Sequence, residues 1–201
     1  VLIEKKARRG TTLVAVKHKG RIALAADSLE SWGYHPTNET NLKIIKLKAC
    51  VYAGWTGDAA IGETVAQLLT EVMDIGAYAT WIDACMGYFM LLRSWTEVAD
   101  DPIHKGVAKS LLNKESDWAM GIIVAPEGIF KILSTGEFGR CDMTILGGGC
   151  GGDYAEGAAS ALIKTKPKWT AARIAREAVK IASKSTVFAN DIVNVVTVRV
   201  K

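Results

Sequence analysis

Thr11-Thr12-Leu13-Val14-Ala15-Val16, then His18-Lys19-Gly20, then Ile22-Ala23-Leu24-Ala25-Ala26-Asp27 is the stretch whose reading decides the fold. Two apolar runs flank a tight turn, the signature of an antiparallel hairpin. Three-residue hairpin loops usually end in a left-handed residue, and Gly20 is the cheapest candidate for it. That assignment sets Lys17 opposite Arg21, Ala15 opposite Ala23, Leu13 opposite Ala25 and Thr11 opposite Asp27. A hydroxyl and a carboxylate, distant in sequence, are then expected side by side at one end of a sheet.

Around this hairpin lies a chain of 201 residues, 49% of them hydrophobic, enough for one domain with a substantial core. Nineteen Gly against four Pro fit a compact chain of helices and strands. The net charge of +4 gives no reason to expect nucleic acid, because Lys5, Lys6, Arg8 and Arg9 against Glu4 supply most of it within the first ten residues. Apolar runs stop short of the ~18 residues a membrane span needs. Val1–Gly10 has no apolar centre of signal-peptide length, so neither membrane nor secretion is expected. Cys50, Cys85, Cys141 and Cys150 show no metal-type spacing and read as reduced thiols of a cytoplasmic protein.

Beyond Asp27, residues Ser28–Thr40 read as a loop or short edge strand. Asn41–Leu47 and Cys50–Trp55 read as strands. Thr56-Gly57-Asp58 turns into a helix with apolar Ile61, Val65, Leu68, Leu69, Val72 and Met73 at helical spacing, capped by Asp58 and closed by Gly76. A second helix starts at Thr80, with Asp83 completing a loose capping box. Its expected buried face is Trp81, Ile82, Cys85, Met86, Phe89 and Leu92. Tyr88, Met90 and Leu91 make it apolar nearly all round, which calls for cover on a second side, as by a partner subunit. Asp100-Asp101-Pro102 stops it, and Ile103–Lys114 reads as ambiguous. Trp118–Ala125, Ile129–Ser134 and Met143–Leu146 are expected strands. The last runs into Gly147-Gly148-Gly149-Cys150-Gly151-Gly152 and a helix over Asp153–Lys164. A fourth helix, capped at Thr170, turns Ile174, Ala175, Ala178 and Ala182 inward, and Ile192–Val200 closes the chain as a buried strand. Strands, two helices, strands, two helices and a strand argue against strict alternation. The expectation is an α+β four-layer αββα sandwich, two antiparallel sheets face to face with a helix pair outside each.

Catalysis could sit at the hairpin's end. A threonine hydroxyl needs a base, and a free α-amino group, titrating near ~8, serves when the threonine is the first residue. Thr11 is internal, so cleavage after Gly10 is required, with residues 1–10 as a propeptide and 11–201 as the single domain. Lys43 is the candidate cation that holds the amine neutral, Asp27 fixes the ammonium, and the backbone at Gly57 offers an oxyanion donor at a helix start. The bland alternatives are an ordinary strand start at Thr11, a turn residue at Asp27 and a solvated edge at Lys43. The glycine cluster lacks the GxxxxGK[ST] pattern, so nucleotide binding is not expected, and His18, His35 and His104 are too scattered for a ligand set.

These residues resemble a known family. Gly10-Thr11-Thr12-Leu13-Val14-Ala15-Val16, Asp27, Lys43, Gly54-Trp55-Thr56-Gly57, Gly149-Cys150-Gly151-Gly152-Asp153-Tyr154-Ala155 and Val187-Phe188-Ala189-Asn190 are similar to the proteasome β-type family of N-terminal-threonine peptidases, in its HslV (ClpQ)-like branch. The similarity is collinear from Thr11 to about Asn190 and weakest over roughly residues 76–117. The resemblance implies an N-terminal-nucleophile hydrolase with self-processing at Gly-Thr and no cofactor for hydrolysis. It also implies a cytoplasmic homo-oligomer of stacked rings, hexameric or heptameric, that takes polypeptides from an AAA+ unfoldase. It places Thr11 on the nucleophile, Asp27 and Lys43 on its electrostatic partners and Gly57 on the oxyanion position. Cys150 falls where the family usually has a serine bonded to the terminal amine, and a thiol is the weaker partner. Lys184 stands where the family tends to carry an aspartate. In the same loop Ser183, Thr186 and Ala189 fall on backbone positions that hold a monovalent cation such as sodium. Asn38 and Ile45 lie near positions where relatives turn basic residues toward the unfoldase. The competing expectations are a catalytically silent ring or shell subunit on the same scaffold and a small-molecule amidohydrolase using the same threonine.

Overall fold

The computed structural model describes residues 8–9, 11–32, 35–57, 59–74, 80–98, 120–133 and 137–201. In chain order the strands before the first helix are β1 (Arg8–Arg9), β2 (Thr12–His18), β3 (Arg21–Asp27), β4 (Glu30–Trp32), β5 (His35–Asn38), β6 (Ile44–Lys48) and β7 (Val51–Trp55). Helices α1 (Ala59–Asp74) and α2 (Trp81–Val98) follow. Then come β8 (Met120–Ala125), β9 (Gly128–Leu133), β10 (Phe138–Cys141) and β11 (Ile145–Gly149). Helices α3 (Gly152–Thr165) and α4 (Ala171–Ser183) and strand β12 (Val193–Arg199) complete the chain.

The strands form a four-stranded sheet ordered β11-β2-β3-β12, a five-stranded sheet ordered β10-β9-β8-β7-β6, and a small sheet ordered β1-β4-β5. All described pairs are antiparallel. The two-residue period of the strands sorts their side chains into separate apolar layers. Leu13, Ala15, Leu24 and Ala26 point to the layer between the two large sheets, where they meet Ile122, Val124 and Ile129. Val14, Val16, Ala23 and Ala25 point the other way, onto Ala155, Ala159, Ile174, Ala175 and Ala178 of α3 and α4. On the far side Val51, Ala53 and Trp55 of β7 meet Val65, Leu69 and Met73 of α1 and Cys85 and Phe89 of α2. Three apolar seams between four layers make the expected αββα sandwich.

Local chemistry places the helices. Thr80 and Asp83 form the capping box, the hydroxyl donating to the carboxylate and accepting from the Asp83 amide. Thr170 caps α4 by accepting from the Arg173 amide. The buried residues Ala171, Ile174, Ala175, Ala178, Val179 and Ala182 recur at helical spacing. Gly54 lets the sheets approach, since a Cβ there would lie 3.0 Å from the Leu13 side chain.

Several expectations need correction. The hairpin loop has two residues: Lys19 (φ 50°) and Gly20 (φ 69°) are both left-handed, a combination that matches the twist of the flanking strands. His18 therefore pairs with Arg21, Ala15 with Leu24 and Leu13 with Ala26, one step from the expected register. Thr12, not Thr11, falls across from Asp27. The strand expected at Met143–Leu146 is displaced to Ile145–Gly149, because the glycines pair with Leu13 and Thr12 instead of forming a free turn. The strand expected from Asn41 begins only at Ile44. Strand β10 was not anticipated, and Ser28–Thr40 holds two short strands. Met86, expected on the buried face of α2, is exposed, as is Met90. The expected cap Asp58, the stops Gly76 and Asp100-Asp101-Pro102, the segment Ile103–Lys114 and most of the propeptide lie outside the described residues.

Candidate active site

The shifted register changes how the site is built. Asp27 ends β3, wholly buried, and its Oδ1 accepts from the Thr12 amide at 2.6 Å while Oδ2 accepts from the Leu29 amide at 3.0 Å. The Lys43 ammonium, just ahead of β6, donates to both oxygens at 3.0 Å. Its side chain is only 8% exposed. Burial pulls the Lys43 pKa below the ordinary lysine value, opposed by the attraction of Asp27 and, less strongly, of Glu30 and Cys150. The carboxylate thus holds the backbone at the start of β2 and the cation together.

Thr11 is buried, one residue before β2. By strand period it shares the face of Leu13 and Ala15, which looks between the sheets. The glycine-rich end of β11 presses on it. A Cβ on Gly149 (φ 80°) would come within 2.1 Å of the Thr11 carbonyl oxygen, and one on Gly151 would come within 2.0 Å of the Thr12 hydroxyl. Only glycine fits either place, and the strand-glycine rule for close backbone approach was the available sequence signal. Cys150, between them, is exposed at the turn into α3 and near enough to Lys43 to interact with it electrostatically.

The opposite wall comes from the other sheet. Thr56 exchanges hydrogen bonds with Met120, its amide and hydroxyl both donating to the Met120 carbonyl, and this fixes the end of β7. Gly57 follows in a left-handed conformation (φ 90°). The β11 glycines touch this wall as well, since a Cβ on Gly148 would lie 3.2 Å from the Thr56 methyl. Thr11, Asp27, Lys43, Cys150 and the Gly57 turn therefore gather at one end of the sandwich.

The loop after α4 closes the third side. Asn190 accepts from the Ser28 amide at 3.0 Å and donates to the Glu39 carbonyl at 2.9 Å, and Asn194 donates to the Ser28 hydroxyl at 2.9 Å. Lys184 caps α4 and is exposed. The Ser183 hydroxyl donates back to the Lys180 carbonyl and the Thr186 hydroxyl accepts from the Phe188 amide, so their neutral carbonyls are what this loop can offer a cation. Among the described residues no cluster of His, Cys, Asp and Glu side chains suits a metal ion. Asn38 is exposed and occupied with Thr40, and Ile45 leans on the core beneath α1 and α2.

A four-layer sandwich with a threonine, a buried carboxylate and a buried lysine at one strand end defines the class, the N-terminal-nucleophile hydrolase fold of the proteasome type. The family model described as "Proteasome subunit" matches residues 7–76. Within that class the chain is similar in sequence to HslV subunits. It is 28% identical over 183 residues to the ATP-dependent protease subunit HslV of Borrelia hermsii, covering 90% of this chain and 93% of the relative. With HslV of Oceanobacillus iheyensis the identity is 29% over 183 residues, at 90% and 92% coverage. Among solved structures, the eukaryotic HslV of Trypanosoma brucei superposes with a TM-score of 0.73 at 21% identity, covering 94% of this chain and 99% of that one. Thiobacillus denitrificans BPH in complex with epoxomicin gives 0.70 at 21% identity, with 94% and 99% coverage. These two likenesses speak for the fold.

Proposed function

We infer that this chain is a self-processing threonine peptidase, a subunit of a ring-shaped proteolytic chamber that cleaves polypeptides with Thr11 as nucleophile. The observation that carries this reading is the Asp27–Lys43 pair, buried under the start of β2 with its carboxylate on the Thr12 amide. A buried ion pair is poor stability engineering, since apolar residues of the same volume commonly do as well. Beside a hydroxyl it has a use.

In the first step the Thr11 oxygen attacks the carbonyl carbon of the preceding residue. The peptide C–N bond breaks as the ester C–O bond forms, and water then hydrolyses the ester, releasing residues 1–10 and a free Thr11 amine. In each later turnover that amine takes the proton from the hydroxyl as the oxygen adds to a substrate carbonyl. The Lys43 charge favours the neutral amine, and the backbone amide at Gly57 is assigned as donor to the oxyanion. The amine passes its proton to the leaving nitrogen, and water entering by the same route frees the acyl group. The pairing of β1 with β4, Arg8 with Trp32 and Arg9 with Ser31, supports a substrate held as an extended strand added to a sheet edge.

The HslV relatives are named as ATP-dependent protease subunits, which supports an ATPase partner for this chain. Hexameric or heptameric stacked rings, an AAA+ unfoldase, a cytoplasmic setting in which all four cysteines stay free, and a sodium-like ion held by the Ser183, Thr186 and Ala189 carbonyls complete the proposal. Neutral carbonyl oxygens suit a hard monovalent cation, and no step above passes through it. The test is intact mass with activity. Purified protein is expected to begin at Thr11 and to cleave peptides, and Thr11→Ala is expected to keep residues 1–10, assemble and be inactive. Unchanged turnover by an assembled Thr11→Ala particle refutes the mechanism, and a leader kept throughout an assembled wild-type particle assigns the silent shell role.

A further inference from the structure

The end of the sandwich away from Thr11 carries a band of unmatched positive charge. Three strands of one sheet bring basic residues there in a row. His18 of β2 pairs with Arg21 of β3, and Arg21 pairs in turn with Arg199 of β12. Directly opposed residues project to the same face with Cβ atoms about 4.5–5.5 Å apart, and like charges so placed, as on Arg21 and Arg199, repel. The face is the one that carries Val16 and Ala23, toward α3 and α4. Those helices add to the charge. α3 starts beside the glycines of β11 and the loop after α4 reaches Ser28, so the turn joining the two helices, with Lys166 and Lys168, lies at the hairpin end. Trp169 of that turn packs onto the seam that holds Val14, Val16 and Ala23.

Little nearby cancels this charge. Lys19, Arg21, Lys166, Lys168 and Arg199 are exposed, and none has an ion-pair partner among the described residues. The His18 Nε2 is buried without a hydrogen-bond partner. On or beside the same elements Asp27, Asp153, Glu156 and Asp191 lie toward the catalytic end, and Glu177 sits well inside α4. Two carboxylates of the neighbouring turns reach the hairpin end, and each has its own cation. Glu127 accepts from the Lys201 ammonium at 2.7 Å, and Asp142 lies 3.8 Å from Arg140. An anion bridging Arg21 and Arg199 turns their repulsion into attraction, and the guanidinium fork suits phosphoryl oxygens through paired hydrogen bonds. The band continues past the two arginines, to Lys19 and to the α3–α4 turn, which fits a run of phosphoryl groups better than a single one. Nucleic acid is the less favoured carrier of such a run. Trp169 is packed inward, with the Arg173 guanidinium 4.1 Å over its ring, so the turn leaves it no open face for a base.

We propose that the row of His18, Arg21 and Arg199, with Lys19 and the two lysines of the helical turn, binds linear inorganic polyphosphate. The site lies at the opposite end from Thr11, so its occupancy is independent of the threonine-peptidase reading. The purified protein is titrated calorimetrically with sodium polyphosphate at ~0.15 M salt, where charges more than ~8 Å apart are largely screened. Wild type is expected to bind the long chain, and to bind inorganic phosphate far more weakly. Arg21→Gln and Arg199→Gln, each removing one exposed fork, are expected to weaken polyphosphate binding roughly 10- to 100-fold. Lys184→Gln, an equal loss of charge at the far end of α4, is expected to leave it unchanged. Thermal unfolding supplies a second readout. Polyphosphate is expected to raise the Tm of wild type and of Lys184→Gln, but not that of the double variant Arg21→Gln with Arg199→Gln. Without polyphosphate the double variant is expected to be at least as stable as wild type, because the opposed charges are gone. Absence of wild-type binding, or equal weakening by Lys184→Gln, overturns the proposal. So does tighter binding of a single-stranded oligonucleotide of equal charge, or of phosphatidylserine vesicles, which reassigns the band to nucleic acid or to a membrane surface.

Discussion

Replacing Asp27 by asparagine tests the centre of the site. The side chain keeps its shape, but the Lys43 ammonium, 8% exposed, loses a carboxylate that now meets it at 3.0 Å through both oxygens. Removing one partner of a buried pair costs about 3–5 kcal/mol, because the remaining charge is stranded. That cost falls on the charged form, so it drives the Lys43 pKa, already low from burial, lower still. The folded variant then holds fewer protons than the unfolded chain at every pH between the depressed lysine value and the normal ~10.4. Its stability must therefore rise with pH through that window, and its deficit against wild type is largest below it. Thermal unfolding from pH 5 to pH 10 reads this directly. For a domain of this size the deficit at low pH corresponds to a Tm lower by about 6–20 °C, shrinking as pH rises. Adding Lys43→Met to Asp27→Asn is expected to restore much of the loss and to abolish the pH slope. A single variant within ~1 kcal/mol of wild type at pH 6, or one whose deficit does not change with pH, refutes the account of a stranded charge.

Three further outcomes follow from the same geometry. The wild-type pH–rate profile is expected to rise as the Thr11 amine loses its proton and to fall again, through loss of the Lys43 proton, at a midpoint below the ordinary lysine value, whereas Lys43→Arg removes the falling limb because arginine does not titrate there. Gly149→Ala, forced into a left-handed conformation with its Cβ 2.1 Å from the Thr11 carbonyl, is expected to lose about 2–4 kcal/mol in denaturant unfolding and to cleave peptides more slowly even where it stays folded. Titration with a thiol reagent at pH 8 should label the exposed Cys50 and Cys150 in the native state and spare Cys85, whose thiol burial pushes up to about 12, until the protein unfolds.

The sandwich was legible because its strands alternate so cleanly: Leu13 and Ala15 face one seam, Val14 and Val16 the next, and the α4 face follows helical spacing. The hairpin register was missed by one residue because Lys19, with a Cβ, was not expected to take the left-handed conformation that a two-residue turn asks of both its residues. Phe138-Gly139-Arg140-Cys141 carries no alternation that would announce a strand; β10 forms because β9 offers an edge for it. The glycines from 147 to 149 look like a loop in isolation and become a strand because other groups occupy the space their side chains would fill. At the site, Asp27, Lys43 and Thr11 stood out through spacing and resemblance.

On the self-processing mechanism proposed above, the corrected register has a consequence for how the protein would survive its own maturation. Asp27 moors the chain by the Thr12 amide, a group whose covalent neighbours are the same before and after the leader departs. Had the carboxylate held the amide of Thr11, the cut would have turned its tether into the catalytic base and set the strand end loose. As built, the proposed scission falls one residue upstream of the anchor, so the newborn terminus would start its working life already tied in place.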